Sequence, residues 1–205
     1  MRKINKRNWI IGLFAVIIIV MAFVAMPIAF SGYEMYKEAV EKTPLEVKVL
    51  QLKSNPGYAP LDQISPMFLE KVIDSEDRSF YKHGGIDLSS TFRAFLKNIE
   101  AGHTVEGGSS ITQQLAKNMY FTFDKVYERK VAELLVAFDL ERELTKNDIL
   151  ELYCNIAYFG EGQTGIRKAT LFYYGIEPIH MNAEQADALV RTLKSPSLYN
   201  PKINP

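Results

Sequence analysis

The feature that most constrains this chain is a run of 22 residues, Trp9 to Phe30, with no charged or strongly polar side chain. As a helix it would extend about 33 Å, enough to cross a hydrocarbon core of about 30 Å. A core helix of a soluble protein ordinarily keeps a polar face, and this segment has none. It reads as a membrane span. Arg2, Lys3, Lys6 and Arg7 precede it, and the first acid is Glu34. Positive charge stays on the cytoplasmic side, so the body of the protein is expected outside the cytoplasm. The competing reading is a cleaved signal peptide with Ala29-Phe30-Ser31 as a weak small-x-small site. The run is longer than the usual apolar region of such a peptide, about 7–15 residues.

The remaining residues suffice for one domain with a sizeable core. Four of the 24 basic residues precede the span, leaving 20 against 24 acids, a net of −4. Such a body is no general polyanion binder, which argues against nucleic acid. Any phosphate it recognises must be met by a few locally placed cations. Cys154 is the only cysteine and reads as a small core hydrophobe, with no internal disulfide possible.

Beyond the span, Ser31-Gly32 and a short mixed-charge helix lead to Pro44, and Leu45-Glu46-Val47-Lys48-Val49 alternates like a short strand. Asn55-Pro56-Gly57 breaks the chain, and helices dominate from there. Ser65-Pro66 is a helix start with proline first. Asp87 caps a helix with an apolar stripe of Leu88, Phe92, Phe95, Leu96 and Ile99, ended by Gly102. Ser109 is expected to cap a helix from about Ser110 to Met119, and Asp124 to open another through Arg142. Capping boxes at Thr145 to Asp148 and Asn182 to Gln185 start two more. The division read from these signals is a basic tail at 1–8, a span at 9–30, a connector at 31–60 and a mainly α domain at 61–205.

Three stretches hold groups capable of chemistry. Glu76 ends an apolar turn containing Val72 and Ile73, where a partly buried carboxylate suits a general base. Asp77 follows it, but helix geometry sends the two side chains apart. His83 reads as a loop-orienting residue, since His103 and His180 lack ligand spacing relative to it. Ser79 to Lys82 spells the S-x-x-K of penicillin-binding serine enzymes, without the S-x-N and K-T-G elements that chemistry needs. In the second stretch Ile111, Leu115 and Met119 face the core, while Ser110, Gln114 and Lys117 share a neighbouring edge able to grip a sugar and a phosphate. Gly107-Gly108 would let backbone approach a ligand and feed an anion-favouring helix N-terminus. On spacing alone the same edge is also an ordinary solvated face. In the third stretch, Arg129 and Glu133 form either a surface ion pair or, wrapped by Val131, Leu134, Leu135 and Phe138, the edge of a cleft.

In order, Glu76-Asp77-Arg78-Ser79-Phe80-Tyr81-Lys82-His83-Gly84-Gly85, Gly107-Gly108-Ser109-Ser110-Ile111-Thr112-Gln113-Gln114-Leu115-Ala116-Lys117-Asn118, Arg129-Lys130-Val131-Ala132-Glu133 and Ile149-Leu150-Glu151-Leu152-Tyr153-Cys154-Asn155 closely resemble the motifs of the peptidoglycan glycosyltransferases of glycosyltransferase family 51, of the monofunctional type. The likeness covers about Leu61 to Pro201. It implies a lysozyme-like helical fold at the outer face of the bacterial cytoplasmic membrane, polymerising lipid II into glycan strands with inversion. By position Glu76 would be the base that activates the acceptor 4-hydroxyl. Glu133 would help the departing diphosphate or position the acceptor. Lys117, Arg129 and Lys130 would neutralise the diphosphate, Ser110 and Gln114 would add hydrogen bonds, and Asp77, Phe80 and His83 would shape the site. Where the family usually has threonine this chain has Ser110, which keeps the hydroxyl.

The resemblance requires no cofactor, leaves a divalent cation (Mg or Mn) open, and implies transpeptidases and other cell-wall proteins as partners. The 205 residues leave no room for a transpeptidase domain after the last motif, so cross-linking is expected from a partner and acylation by β-lactams is not expected. Two rivals remain. A lysozyme-like enzyme that cuts glycan would have no need of the three cations, and a silent scaffold would have no need of both carboxylates.

Overall fold

The computed structural model describes residues 6–103, 105, 107–121, 127–196 and 198–202. Asp124 and Ser197 lie outside these. Among the described residues the chain is helical, with one isolated antiparallel bridge, Tyr158 to Thr164, and no strand. Helix α1, Lys6–Lys42, holds the apolar run and is long and apolar enough to cross a membrane, with no buried residue in its most apolar window among the described residues. It passes Pro27 and Ser31-Gly32 without a break, so the expected second short helix is its continuation.

The body follows as α2 (Leu45–Lys53), α3 (Pro66–Glu76), α4 (Leu88–Ala101), α5 (Ile111–Tyr120), α6 (Tyr127–Glu143), α7 (Lys146–Ile156), α8 (Ile166–Tyr174) and α9 (Ala183–Lys194). α5 runs through the centre, with Ile111, Leu115, Ala116 and Met119 buried against α6 and α7. α3 and α9 pair beside it through Phe68, Val72, Leu189 and their neighbours. Cys154 is buried in α7, and burial pushes its thiol well up. The stretch from Tyr58 to Leu61 is fastened to α7 by polar contacts. Glu151 accepts from the Tyr58 hydroxyl (2.6 Å) and the Leu61 amide (2.8 Å), while Asn155 accepts from the Ala59 amide (2.7 Å) and donates to the Ala59 carbonyl (2.8 Å). Burial and the Glu151 hydrogen bond push the Tyr58 hydroxyl well up, so it stays a donor.

Two sequence expectations are corrected. Leu45 to Val49 is helix, because Leu45, Val49 and Leu52 recur at helical spacing and pack on the core, while Val47 and Leu50 face outward. The cap of α5 is Ser110, not Ser109. Its Oγ accepts from the Gln113 amide and the Gln113 side chain returns to the Ser110 amide, a reciprocal box that needs a Gln three residues on. Ser109 would place Thr112 at that position. The apolar stripe of α4 does not enter the core: Leu88, Phe92, Phe95, Leu96 and Ile99 are each between 49% and 71% exposed.

Past the apolar run, α1 lies along α6. The Tyr36 hydroxyl donates to Asp139 Oδ2 (2.5 Å), and Tyr120 reaches the Thr43 carbonyl (3.1 Å). At Gly32 the two helices approach closely. A Cβ there would lie 2.5 Å from Val131 Cβ and 2.6 Å from the Glu128 carbonyl oxygen. Since backbone cannot yield as a side-chain tip can, Gly32→Ala should push α1 from α6 and cost about 1–3 kcal/mol. Thermal unfolding of the full chain in detergent reads this as a lowered midpoint.

Candidate active site

α3 stops at Glu76 because Asp77 leaves the helical conformation, at φ −161°. The half-buried Glu76 carboxylate accepts from Gln114 Nε2 through Oε2 (3.0 Å) and from the Ser75 hydroxyl through Oε1 (3.3 Å). The Gln114 carbonyl oxygen in turn accepts from the hydroxyl of Tyr153 (3.2 Å). Asp77 turns the other way into the protein. Its oxygens lie 2.9 and 3.0 Å from His83 Nε2, and Oδ2 accepts from the Ile111 amide (3.1 Å). Phe80 is fully buried beneath this loop, with Lys146 over its ring. Ser79 donates to Asp87, whose carboxylate also caps α4 and is held far below the usual range by the hydroxyls and amide it accepts from.

The N-terminus of α5 therefore already holds an anion, the protein's own Asp77, and it is not open to a ligand. Ser110 is likewise committed: besides capping, its hydroxyl donates to the carbonyl of Gly85 (2.6 Å) and is buried. Gly85 presents that carbonyl from φ +88°, a conformation glycine adopts without strain. Gly108 serves helix packing, since a Cβ there would meet Thr91 Cα at 3.2 Å, whereas Gly107 faces open space. Of the edge read from spacing, Gln114 and Lys117 remain as groups beside Glu76 and α6.

Glu133 has no exposed surface. Arg129 Nε lies 2.9 Å from its Oε1 and Lys130 Nζ 2.6 Å from its Oε2, so the surface-pair reading does not hold. Lys130, half exposed, also donates to the Ser109 hydroxyl (3.0 Å). One turn beyond Gln114, Lys117 feels Glu133, Lys130 and Arg129, and burial pushes its ammonium below the ordinary lysine range. Three cations thus surround one buried carboxylate. Lys117 borders a cavity of about 290 Å³ with Asn118, Phe121 and Tyr158. Lys130 borders another of about 480 Å³, whose walls include Ile86, Phe95, Val131 and Leu134.

Among the described residues no group of three or more His, Cys, Asp or Glu side chains is disposed to hold a metal ion. A polar contact beside Glu76 that sequence periodicity missed is the Tyr153 hydroxyl. Tyr153 reads as an inward position of α7, and only its being tyrosine among aliphatic neighbours signals a buried hydroxyl in need of a partner.

Residues 45–205 match the family described as Transglycosylase. Penicillin-binding protein 1F of Bacillus subtilis is 36% identical over 219 residues, covering all of this chain and 30% of that protein. Penicillin-binding protein 2a of Streptococcus pneumoniae is 44% identical over 144 residues, 70% of this chain and 19% of that protein. Penicillin-binding protein 1B of Escherichia coli is 36% identical over 170 residues, 78% of this chain and 20% of that protein. The chain spans less than a third of the length of each. With the helical body, the ordered motifs and a match over more than three quarters of its residues, the chain belongs to the transglycosylases, the peptidoglycan glycosyltransferases of family 51.

Proposed function

We propose that this protein polymerises lipid II at the outer face of the cytoplasmic membrane. Glu76 takes the proton of the acceptor 4-hydroxyl as that oxygen bonds to C1 of the donor sugar with inversion. The bond from C1 to the diphosphate oxygen breaks, and polyprenyl diphosphate leaves with its charge met by Lys117, Arg129 and Lys130. Diphosphate is a good leaving group, so the reaction asks the protein for a base and fixed cations, with no strong acid. Glu133, whose two oxygens face Arg129 and Lys130, acts by holding those cations in place.

One observation carries this reading. Gly32, two residues past the apolar run, lies against Glu128 and Val131, so the start of α6, with Arg129 and Lys130, sits level with the end of the span. A diphosphate headgroup carried by a membrane lipid lies at that level. α5 then connects this level to the base, because Lys117 faces the α6 charges and Gln114, one turn earlier, holds Glu76. The exposed stripe of α4 adds support, since a row of Phe and Leu side chains suits an apolar medium better than water. Basic residues before the span favour an orientation with the catalytic body on the outer side.

Glu76→Gln tests the role of the base. The variant should polymerise lipid II at least a hundredfold more slowly, in line with the usual loss of a general base, while still binding it. Full polymerisation by that variant removes Glu76 from its role. We assign charge neutralisation to Lys117, Arg129 and Lys130, and polymerisation should persist in excess chelator. The pH dependence follows from Lys117. Its charged form exists below its pKa, and burial lowers that pKa, so the charge is lost at a lower pH than the ordinary value of about 10.4. The alkaline fall in rate should therefore come early, and in Lys117→Arg the residual activity should persist to higher pH.

A further inference from the structure

Beyond the residues already assigned, α7 brings a buried hydroxyl to the base. Tyr153 is 2% exposed, and its hydroxyl lies 3.2 Å from Gln114 Oε1. On the same amide Nε2 lies 3.0 Å from Glu76 Oε2. We infer that Tyr153 is a positioning residue: its hydroxyl fixes the orientation of the Gln114 amide so that the amide donates to Glu76 and fixes the carboxylate for proton abstraction. The inference rests on the reading of Glu76 as the base.

Hydrogen-bond polarity carries the argument. A primary amide has one end that only accepts and one that only donates. The phenol can donate or accept, so it does not by itself dictate which end it meets. Glu76 as a carboxylate only accepts, so it needs the NH₂ end. The carbonyl end then faces Tyr153, which meets it as a donor. Burial holds the Tyr153 hydroxyl well above its ordinary pKa, so the hydrogen remains in place across the working range. Without that donor the Gln114 amide is restrained, among the described residues, only by its bond to Glu76, and an amide that rotates sets its oxygen against the Glu76 oxygens. Two acceptors then face each other, and the carboxylate moves away from the attacking hydroxyl. Ser75 reaches only the other oxygen, at 3.3 Å, and cannot replace the lost restraint on Oε2. The hydroxyl of Tyr153 thus acts at one remove, through Gln114, and touches no substrate.

A purely structural tyrosine would make a different prediction. Its hydroxyl would only satisfy a buried polar group, and its loss would lower stability without changing the rate per folded molecule. Tyr153→Phe keeps the buried ring and removes one oxygen. Steady-state polymerisation of lipid II by the full chain should show kcat reduced about tenfold, the scale of one hydrogen bond, with KM within about twofold of the parent. Thermal unfolding of each variant refers the rates to folded enzyme. Gln114→Leu supplies the second arm. It should lower kcat at least as far, and in its background Tyr153→Phe should cause no further loss, because the tyrosine then has no amide to orient. An unchanged kcat in Tyr153→Phe overturns the inference. So does a double variant whose loss is the product of the two single losses. Glu76→Gln separates this failure from that of the underlying reading. If Glu76→Gln still polymerises, the base assignment falls and Tyr153 with it; if Glu76→Gln is inactive and Tyr153→Phe is not slowed, only the positioning role falls.

Discussion

A carboxylate without solvent contact, Glu133, is the constraint around which the rest is arranged. Removing an ion of this size from water costs several kcal/mol even after the protein relaxes, and the cost must be offset by close opposite charge. Arg129 and Lys130 provide it, each on its own oxygen. The dependence is mutual. Three cations, counting Lys117, would repel one another in a partly buried site, and Glu133 is the counter-ion that lets them share it. Replacing the acid would leave uncompensated positive charge next to a lysine already pushed toward its neutral form.

The same helix carries the mechanical load. α6 offers one side to the core through Ala132, Val136, Ala137 and Leu140, and another to α1 through Val131 and Asp139. Gly32 brings the two helices so close that the height of the cation cluster relative to the span is fixed by backbone contact. A site for a lipid-borne diphosphate needs such a fixed height more than it needs depth.

Much of this was legible in the residues. Proline at the start of α3, the caps at Asp87, Thr145 and Asn182, and the four-residue spacing of Ile111, Leu115 and Met119 all report local rules, and local rules survive folding. What was not legible depended on neighbours far along the chain. Leu45 to Val49 alternates over five residues, yet Leu52 joins Leu45 and Val49 only if the segment is helical, and a body for them to pack on cannot be read from a five-residue window. The stripe of α4 is amphipathic by sequence but faces away from the core, and periodicity says nothing about which medium an apolar face meets. Glu133 and Arg129 have the spacing of an ordinary surface pair, and only the packing around α6 closes off the water. Ser110 shares an edge with Gln114 by spacing, but as the cap it turns inward to Gly85.

The two glutamates have opposite surroundings, and that contrast favours different work for each. Glu76 is half-buried and its described donors are neutral, an amide on one oxygen and a hydroxyl on the other. It keeps some solvent-accessible surface and its described donors are neutral, which suits a group that accepts a proton. Glu133 is sealed off with a cation beside each oxygen, so its charge is matched locally and its removal would release the cations themselves. A carboxylate so placed is poorly suited to proton transfer and well suited to holding charge. Under the proposed mechanism, deprotonation and leaving-group stabilisation are separated across one turn of α5, with Gln114 turned to the first and Lys117 to the second. Because Gln114 and Lys117 ride on one helix, a displacement of α5 that disturbs Glu76 through Gln114 also shifts Lys117, and under the proposed mechanism this ties acceptor activation to a properly seated diphosphate.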